Sequence, residues 1–438
     1  MFNQGLQSTK VWQESARAVS SRSPGWGIEQ WLPVAAICGF CLLTSANPGY
    51  AENGGGEVYH TNITSNPIRQ ASFLALAAMA MYLLLGFRSA LVRPTLAWTI
   101  LLPVLAAASF LGLSVFWSDL PGTTVKRGLT VLIVVLTGIA IGRVWSTRDL
   151  VWGVLWFSSL FLAASVAVEL NYRAFLDATE YRFSGLIHPI RQSFNCTCIL
   201  LSSIILYTTD RKRIFLVLAA VAILCLLMTK ARTGVVAALL AVAWLLWNLP
   251  SLRSWLFALW VATGVLMVSF LLYQAATGHE TDLAKVATMG RDAEQADPTK
   301  LTGRWEIWQY VLNDLANRPL LGFGYGAYWT EARWDAFERA TGWPLYHSHS
   351  SYLETALGIG AIGLILVCQV LLLAFHRSYV LVRQGDPYAL LVGGLVIMAM
   401  VGGFSDVSYL QVEYESLLLM TAIGVMIFAQ PPQIGSLS

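Results

Sequence analysis

Twelve apolar runs recur between Trp31 and Ala429, and they constrain this chain more than any other feature. A bilayer core takes about 20 apolar residues per helix. A lipid-facing backbone must also satisfy its own hydrogen bonds, which leaves helices or closed barrels. With 56% hydrophobic and 12% charged residues, the sequence predicts an all-α integral membrane protein of about 12 transmembrane helices. The runs fall near residues 31–46, 71–86, 95–117, 128–142, 150–170, 193–207, 214–229, 234–247, 255–276, 351–375, 388–404 and 414–429.

An even number of spans places both termini on one side. The loops on that side carry Lys10, Arg17 and Arg22, the triplet Arg211, Lys212 and Arg213, and pairs such as Arg143 with Arg148 and Arg377 with Arg383, against few acids. That is a positive-inside bias, so both termini are expected in the cytoplasm. The organisation then reads as an N-terminal tail (1–30), nine spans (31–276), a large outward loop (277–350), three spans (351–429) and a C-terminal tail (430–438). The first thirty residues lack an apolar stretch followed by a small-residue cleavage site, so no removable signal peptide is expected.

The six cysteines all fall inside apolar runs, and Cys38 with Cys41 has no second pair or histidine near it in sequence; they read as small core residues. A net charge of +3 does not suggest a nucleic-acid partner. The outward acids Asp282, Asp292, Glu294 and Asp297 are scattered, so no metal site and no cofactor is expected.

Some cations remain on the outward side, where basic residues are normally thinned: Lys126, Arg127, Arg173, Arg182, Arg191, Lys230 and Arg232. Snorkelling toward headgroups accounts for Arg173 and Arg182 equally well. Lys230 and Arg232 sit in a connection with almost no loop, and ionisable groups held at that depth tend to face the bundle interior and mark a substrate path.

In the outward loop, Trp308, Val311, Leu312 and Leu315 have amphipathic-helix spacing, with Thr302 as N-cap and Pro319 beyond the end. Arg304 lies in the first turn, where a cation opposes the helix dipole; a solvated arginine is the plain alternative. A second short helix is expected over Glu331 to Ala340, with Trp334 and Phe337 on one face and Gly342 as its stop. Together these helices suit a lid lying flat on the outer interface. Gly322, Gly324 and Gly326 would let backbone approach a ligand, although GFGYG is not a phosphate-loop signature. Ser351 and Glu354 have capping-box spacing, which predicts a helix starting at Ser351. His349 then sits outside a helix N-terminus, whose positive end keeps an imidazole neutral and able to accept a proton. An exposed loop histidine is the alternative reading.

Three pieces resemble the O-antigen ligase and polymerase superfamily, including exopolysaccharide repeat-unit polymerases. They are ARTG at Ala231–Gly234, GRWEIW at Gly303–Trp308 with PLLGFGYGAYW at Pro319–Trp329, and HSSYLETALGIGAIG at His349–Gly363. The last is similar to the family's histidine motif, with Ser350 after the histidine and Gly360 and Gly363 closing it. The resemblance extends over about Leu113 to Leu364. Leu364 and Ile365 replace the Thr-His of some ligases, and Ile190 and Arg191 replace a frequent Asn, so the two activities are hard to separate.

The resemblance implies a GT-C-like fold in the bacterial inner membrane and transfer of an undecaprenyl-diphosphate-linked glycan to a glycan or lipid-linked acceptor hydroxyl at the periplasmic face. It further implies an inverting, metal-independent reaction, with His349 as base and Arg232 and Arg304 stabilising the departing diphosphate. Arg191, Lys230, Tyr325 and His347 would contact substrate. Polymerisation of repeat units is the expected role. Ligation to lipid A core or another terminal acceptor is the alternative within the class, and a secondary transporter is the rival outside it.

Overall fold

The computed structural model describes residues 26–52, 67–86, 96–177, 181–249, 265, 269, 304–341, 347–407 and 413–430. The described residues form no strand. The helices are α1 (Ile28–Thr44), α2 (Pro67–Gly86), α3 (Trp98–Leu113, continued by a 3₁₀ turn Ser114–Trp117), α4 (Pro121–Val144), α5 (Thr147–Tyr172), α6 (Pro189–Asp210), α7 (Ile214–Met228) and α8 (Arg232–Asn248). After the short α9 (Arg304–Leu315) and α10 (Glu331–Thr341) come α11 (Ser351–Arg383), α12 (Leu390–Gly402) and α13 (Tyr414–Phe428). Eleven of the twelve predicted apolar runs coincide with a helix. All of the run 255–276 but 265 and 269, residues 1–25 and 431–438 of the tails, Thr302, the acids of 282–297 and Gly342 lie outside the described residues. Among the described residues, five helices are long and apolar enough to cross a membrane: those starting at Pro67, Trp98, Pro121, Thr147 and Ser351.

Local chemistry explains the starts. Pro121 and Pro189 occupy first-turn positions of α4 and α6, where a missing N–H costs nothing. At α5 the Ser146 hydroxyl accepts from Asp149 N (3.2 Å) while the Asp149 carboxylate accepts from Ser146 N (3.0 Å), a reciprocal cap.

Contacts between helix ends sort the bundle into two faces. At one, Arg143 donates to the Leu84 carbonyl (2.6 Å), Thr147 to Asp386 (2.8 Å) and Arg377 to the Ala429 carbonyl (2.9 Å). The starts of α6, α8, α11 and α13 and the ends of α1, α7 and α12 gather at the other, which carries the histidines.

The packing centre is the α4–α13 crossing. A Cβ on Gly138 or Gly142 would overlap the backbone of Met420 or Gly424, and one on Gly424 would overlap Gly138. Small residues four apart let two membrane helices approach this closely. Gly424→Leu is expected to lower unfolding stability in detergent by about 1–3 kcal/mol through overpacking; an unchanged unfolding temperature would show that the crossing gives way.

Helix α11 is broken. Ile359 (φ −131°, ψ 16°) and Gly360 (φ 68°, ψ −174°) leave the helical region, and the stretch 319–323 fills the gap. Phe323 N donates to Leu357 O (2.8 Å), and Ala361 N donates to Pro319 O (2.8 Å). Backbone groups freed by the break are thus satisfied by protein, as an apolar surround demands. Only glycine fits at 360, because its φ is left-handed and a Cβ would run into the Leu320 carbonyl.

Candidate active site

The histidine loop precedes α11 and is held from both sides. The helix starts where expected, but its N-cap is Ser350, one residue earlier than the capping-box spacing suggests: the Ser350 hydroxyl accepts from Leu353 N (3.5 Å). Tertiary contacts preempt Ser351, whose N–H donates to Gly403 O (2.8 Å) and Asp406 O (3.0 Å) and whose hydroxyl donates to Asp406 O (2.8 Å). Glu354 does reach back, but past the cap to Ser348 N (2.6 Å), and it also accepts from Trp329 Nε1 (2.8 Å). One carboxylate therefore ties the end of the glycine-rich stretch to the histidine loop.

His349 has φ 51°. A left-handed non-glycine residue is uncommon, and held strain of this kind clusters at functional sites. Its N–H donates to His347 Nδ1 (3.2 Å), and the two rings lie 4.1 Å apart, edge to face. His347 Nδ1 is thus an acceptor, which places the proton of its neutral form on Nε2. Partial burial first, then the charges of His347 and Arg304, push the His349 imidazole down to about 3.

Residues 304–341 form a small core of their own around Ile307, Val311, Phe323, Tyr328, Trp329 and Phe337, closed against Leu357 of α11. Trp308 Nε1 donates to Ser348 O (3.1 Å), which docks α9 on the histidine loop and puts Arg304, one turn earlier, among the charges His349 feels. The buried stripe of α9 runs through Ile307 and Val311, whereas Leu312, expected on that stripe, is exposed. Asp119, in the WSDLP stretch, latches the loop through Arg318 (2.8 Å) and Arg333 (3.1 Å), and the Arg333 guanidinium lies 4.6 Å from the Phe323 ring centre.

The glycine-rich stretch contacts protein on its tight side. A Cβ at Gly324 would strike Ser118 and one at Gly326 would strike Arg127, while Gly326 O accepts from Arg127 (2.8 Å). The close backbone approach anticipated for a ligand is made to these helices. Tyr325 is buried with Leu111, Val131 and Ile359, in a packing cluster separate from the histidines.

The ARTG turn lies against α6, where Gly234 packs so tightly on Ser193 that a Cβ would overlap its hydroxyl. Lys230 has φ 49° just past the end of α7, and Arg232 is the first residue of α8. Arg191 also reaches this end of the bundle but carries carboxylate partners: Glu413 at 2.8 Å and Glu415 at 4.0 Å. Its charge is largely compensated, and Ser45 donates to the same Glu413 oxygen (2.8 Å).

Two residues outside the sequence-based set belong to this cluster. His188 caps α6 through Nδ1, which accepts from Ile190 N (3.3 Å), and its ring packs edge-on against Tyr50. Burial, partly opposed by Asp406, holds this imidazole down to about 4. Asp406 is the second. Burial works against its charge, but Arg191 and His188 outweigh that and keep the carboxyl below its usual range. A signal for each was present in sequence: a histidine directly before Pro189, and an acid at the end of an apolar run.

The arrangement sets His349 against His347 and within the field of Arg304, and His188 within that of Arg182 and Arg191, at the end of the bundle that also carries the ARTG turn. Among the described residues, no group of histidine, cysteine, aspartate and glutamate has metal-binding geometry.

Residues 215–368 match the family described as O-Antigen ligase. That span carries the ARTG turn, the outward loop and the histidine motif. The chain is also 25% identical, over 330 residues, to the exopolysaccharide production protein ExoQ of Rhizobium meliloti (strain 1021), an alignment that covers 70% of this chain and 72% of that protein.

Proposed function

We propose, from the match of residues 215–368 to the family described as O-Antigen ligase and the 25% identity to ExoQ, that the chain is an inverting, metal-independent glycosyltransferase that polymerises exopolysaccharide or O-antigen repeat units from an undecaprenyl diphosphate carrier. The observation that supports this is a left-handed His349 held neutral beside Arg304 of α9, at the end of the bundle that also carries the ARTG turn. The acceptor hydroxyl gives its proton to His349, and its oxygen forms the new bond at the anomeric carbon. The bond from that carbon to the phosphate oxygen breaks, and the diphosphate leaves with the electron pair. A departing diphosphate needs fixed positive charge more than a proton, and Arg232 and Arg304 supply it as planar, permanently charged forks. Lys230 adds charge. His347 orients His349 through the bond from the latter's N–H. Arg191, being paired, contributes by holding the α6 and α13 ends in register.

The reaction is assigned to the periplasmic face of a bacterial inner membrane, with both termini cytoplasmic. The charge bias of the loops supports this side, and the gathering of site residues at the opposite end of the bundle agrees with it. Polymerisation is favoured over ligation by the relative named for exopolysaccharide production.

The test is reconstitution in liposomes with a single lipid-linked repeat. A ladder of lengthening products is expected. One transfer to a terminal acceptor without a ladder would favour ligation, and no transfer with either acceptor would overturn the reading.

A further inference from the structure

The connection from α5 to α6 crosses the site as a strap, 181–188, and its middle is clamped from below. Glu169, in the last turn of α5 and only 3% exposed, accepts from Ser184 N (3.0 Å), Gly185 N (2.8 Å) and the Ser184 hydroxyl (3.2 Å). Gly185 has φ 64°, and a Cβ there would collide with Ser165 of the same helix. Beyond it, Leu186 O accepts from Asn47 N (2.7 Å). A carboxylate buried this deeply is costly unless it is hydrogen-bonded, and here its donors are the strap itself.

The clamp determines where the strap's first residues lie. Phe183 N donates to Met228 O (2.9 Å), and Arg182 Nε donates to Thr229 O (3.3 Å). Arg182 is thereby laid against the turn that carries Lys230 and Arg232, partly buried and hooked to protein. Snorkelling toward headgroups, which the sequence allowed, is not its geometry. The α7 C-terminal carbonyls favour one or two such cations. Arg182, Lys230 and Arg232 thus lie in one short stretch of the fold, and two of them are guanidinium forks of the kind that match the oxygens of a diphosphate.

We propose that Arg182 is a further ligand of the carrier's diphosphate and that Glu169 is its positioning residue, acting through the Ser184–Gly185 turn. This rests on the glycosyltransferase reading above and names a site residue that reading does not include.

The test uses the full chain in nanodiscs, titrated with undecaprenyl diphosphate and, in parallel, with inorganic pyrophosphate. Losing one charge-assisted hydrogen bond corresponds to about 10- to 100-fold in affinity. Arg182→Gln is expected to weaken binding of both probes by that factor. Glu169→Ala should match it, whereas Glu169→Gln, which keeps an oxygen for the two amides, should stay within about threefold of wild type on the same scale. Arg173→Asn removes an exposed cation from the same connection and suits its left-handed backbone (φ 52°), so it should bind as wild type. In transfer assays, Arg182→Gln and Glu169→Ala should raise KM far more than they lower kcat.

Wild-type affinity in Arg182→Gln would overturn the proposal, even if Glu169→Ala fails to fold. So would equal losses in Glu169→Ala and Glu169→Gln, or in Arg173→Asn and Arg182→Gln. If wild type binds the diphosphate with this pattern of losses but transfers no glycan, the anion site stands and the glycosyltransferase reading falls.

Discussion

His349→Ala is expected to lower turnover on the order of 100- to 10,000-fold, the range a positioned general base supplies, while affinity for the lipid-linked repeat changes little. The separation follows from the proposed division of labour, in which the ARTG turn and Arg304 meet the carrier's charge and His349 takes the acceptor's proton. His347→Ala should cost less, because its contribution is the bond from the His349 N–H (3.2 Å). Purified variants assayed for binding and turnover separately would decide it; near wild-type turnover in His349→Ala would move the base assignment to His347.

The same residue makes a pH prediction with a definite sign. Burial and neighbouring cations hold its pKa near 3 in the free protein, so the imidazole is neutral from neutral pH well into the acid range. The acid limb of kcat/KM, which reports the free enzyme, should therefore lie below pH 5, under the ordinary histidine value of about 6.5. A bound diphosphate adds negative charge and raises the pKa, so the acid limb of kcat should sit at higher pH. For stability, the unfolded chain takes up this proton first. His349 accordingly makes folding less favourable as pH falls from about 6.5 toward about 3.

Arg232→Lys is expected to reduce turnover on the order of 100-fold, the cost of losing one aimed donor at a departing oxyanion. It keeps a positive charge but loses the planar fork that matches phosphate. Because the turn is packed through Gly234 on Ser193, a lysine cannot shift the backbone to compensate. A stability measurement separates this from a folding defect. A cation at the first residue of α8 opposes the helix dipole, so Arg232→Gln should leave stability unchanged or raised by about 0.3–1 kcal/mol while abolishing most activity. Full turnover in Arg232→Lys would return this arginine to a headgroup contact.

Much of the architecture was legible because a membrane helix is a local object. Its backbone bonds are internal and its length is set by the bilayer, so an apolar run with polar ends suffices; eleven runs each fall on a helix. The ARTG turn, Arg304 and His349 were legible for a related reason. Each breaks a local rule, whether a cation at a helix N-terminus or a polar turn at an apolar boundary, and such breaks show in one dimension.

What the tertiary structure decided involves groups satisfied from far along the chain. Ser351 would cap α11 if the helix stood alone, but carbonyls of Gly403 and Asp406 occupy it, and the cap passes to Ser350. Gly360 read as part of a motif; its reason is a backbone break filled by the 319–323 stretch. Arg191 read as an outward cation seeking an anion, and it finds Glu413 and Glu415, with Tyr414 donating to its carbonyl across 223 residues of sequence. His188 and Asp406 enter the site only through folding. Sequence alone determined which segments are helical and where charge departs from the expected pattern. Which partners compensate a charge was decided by tertiary structure, because a partner's distance in space is set by packing and not by its separation along the chain.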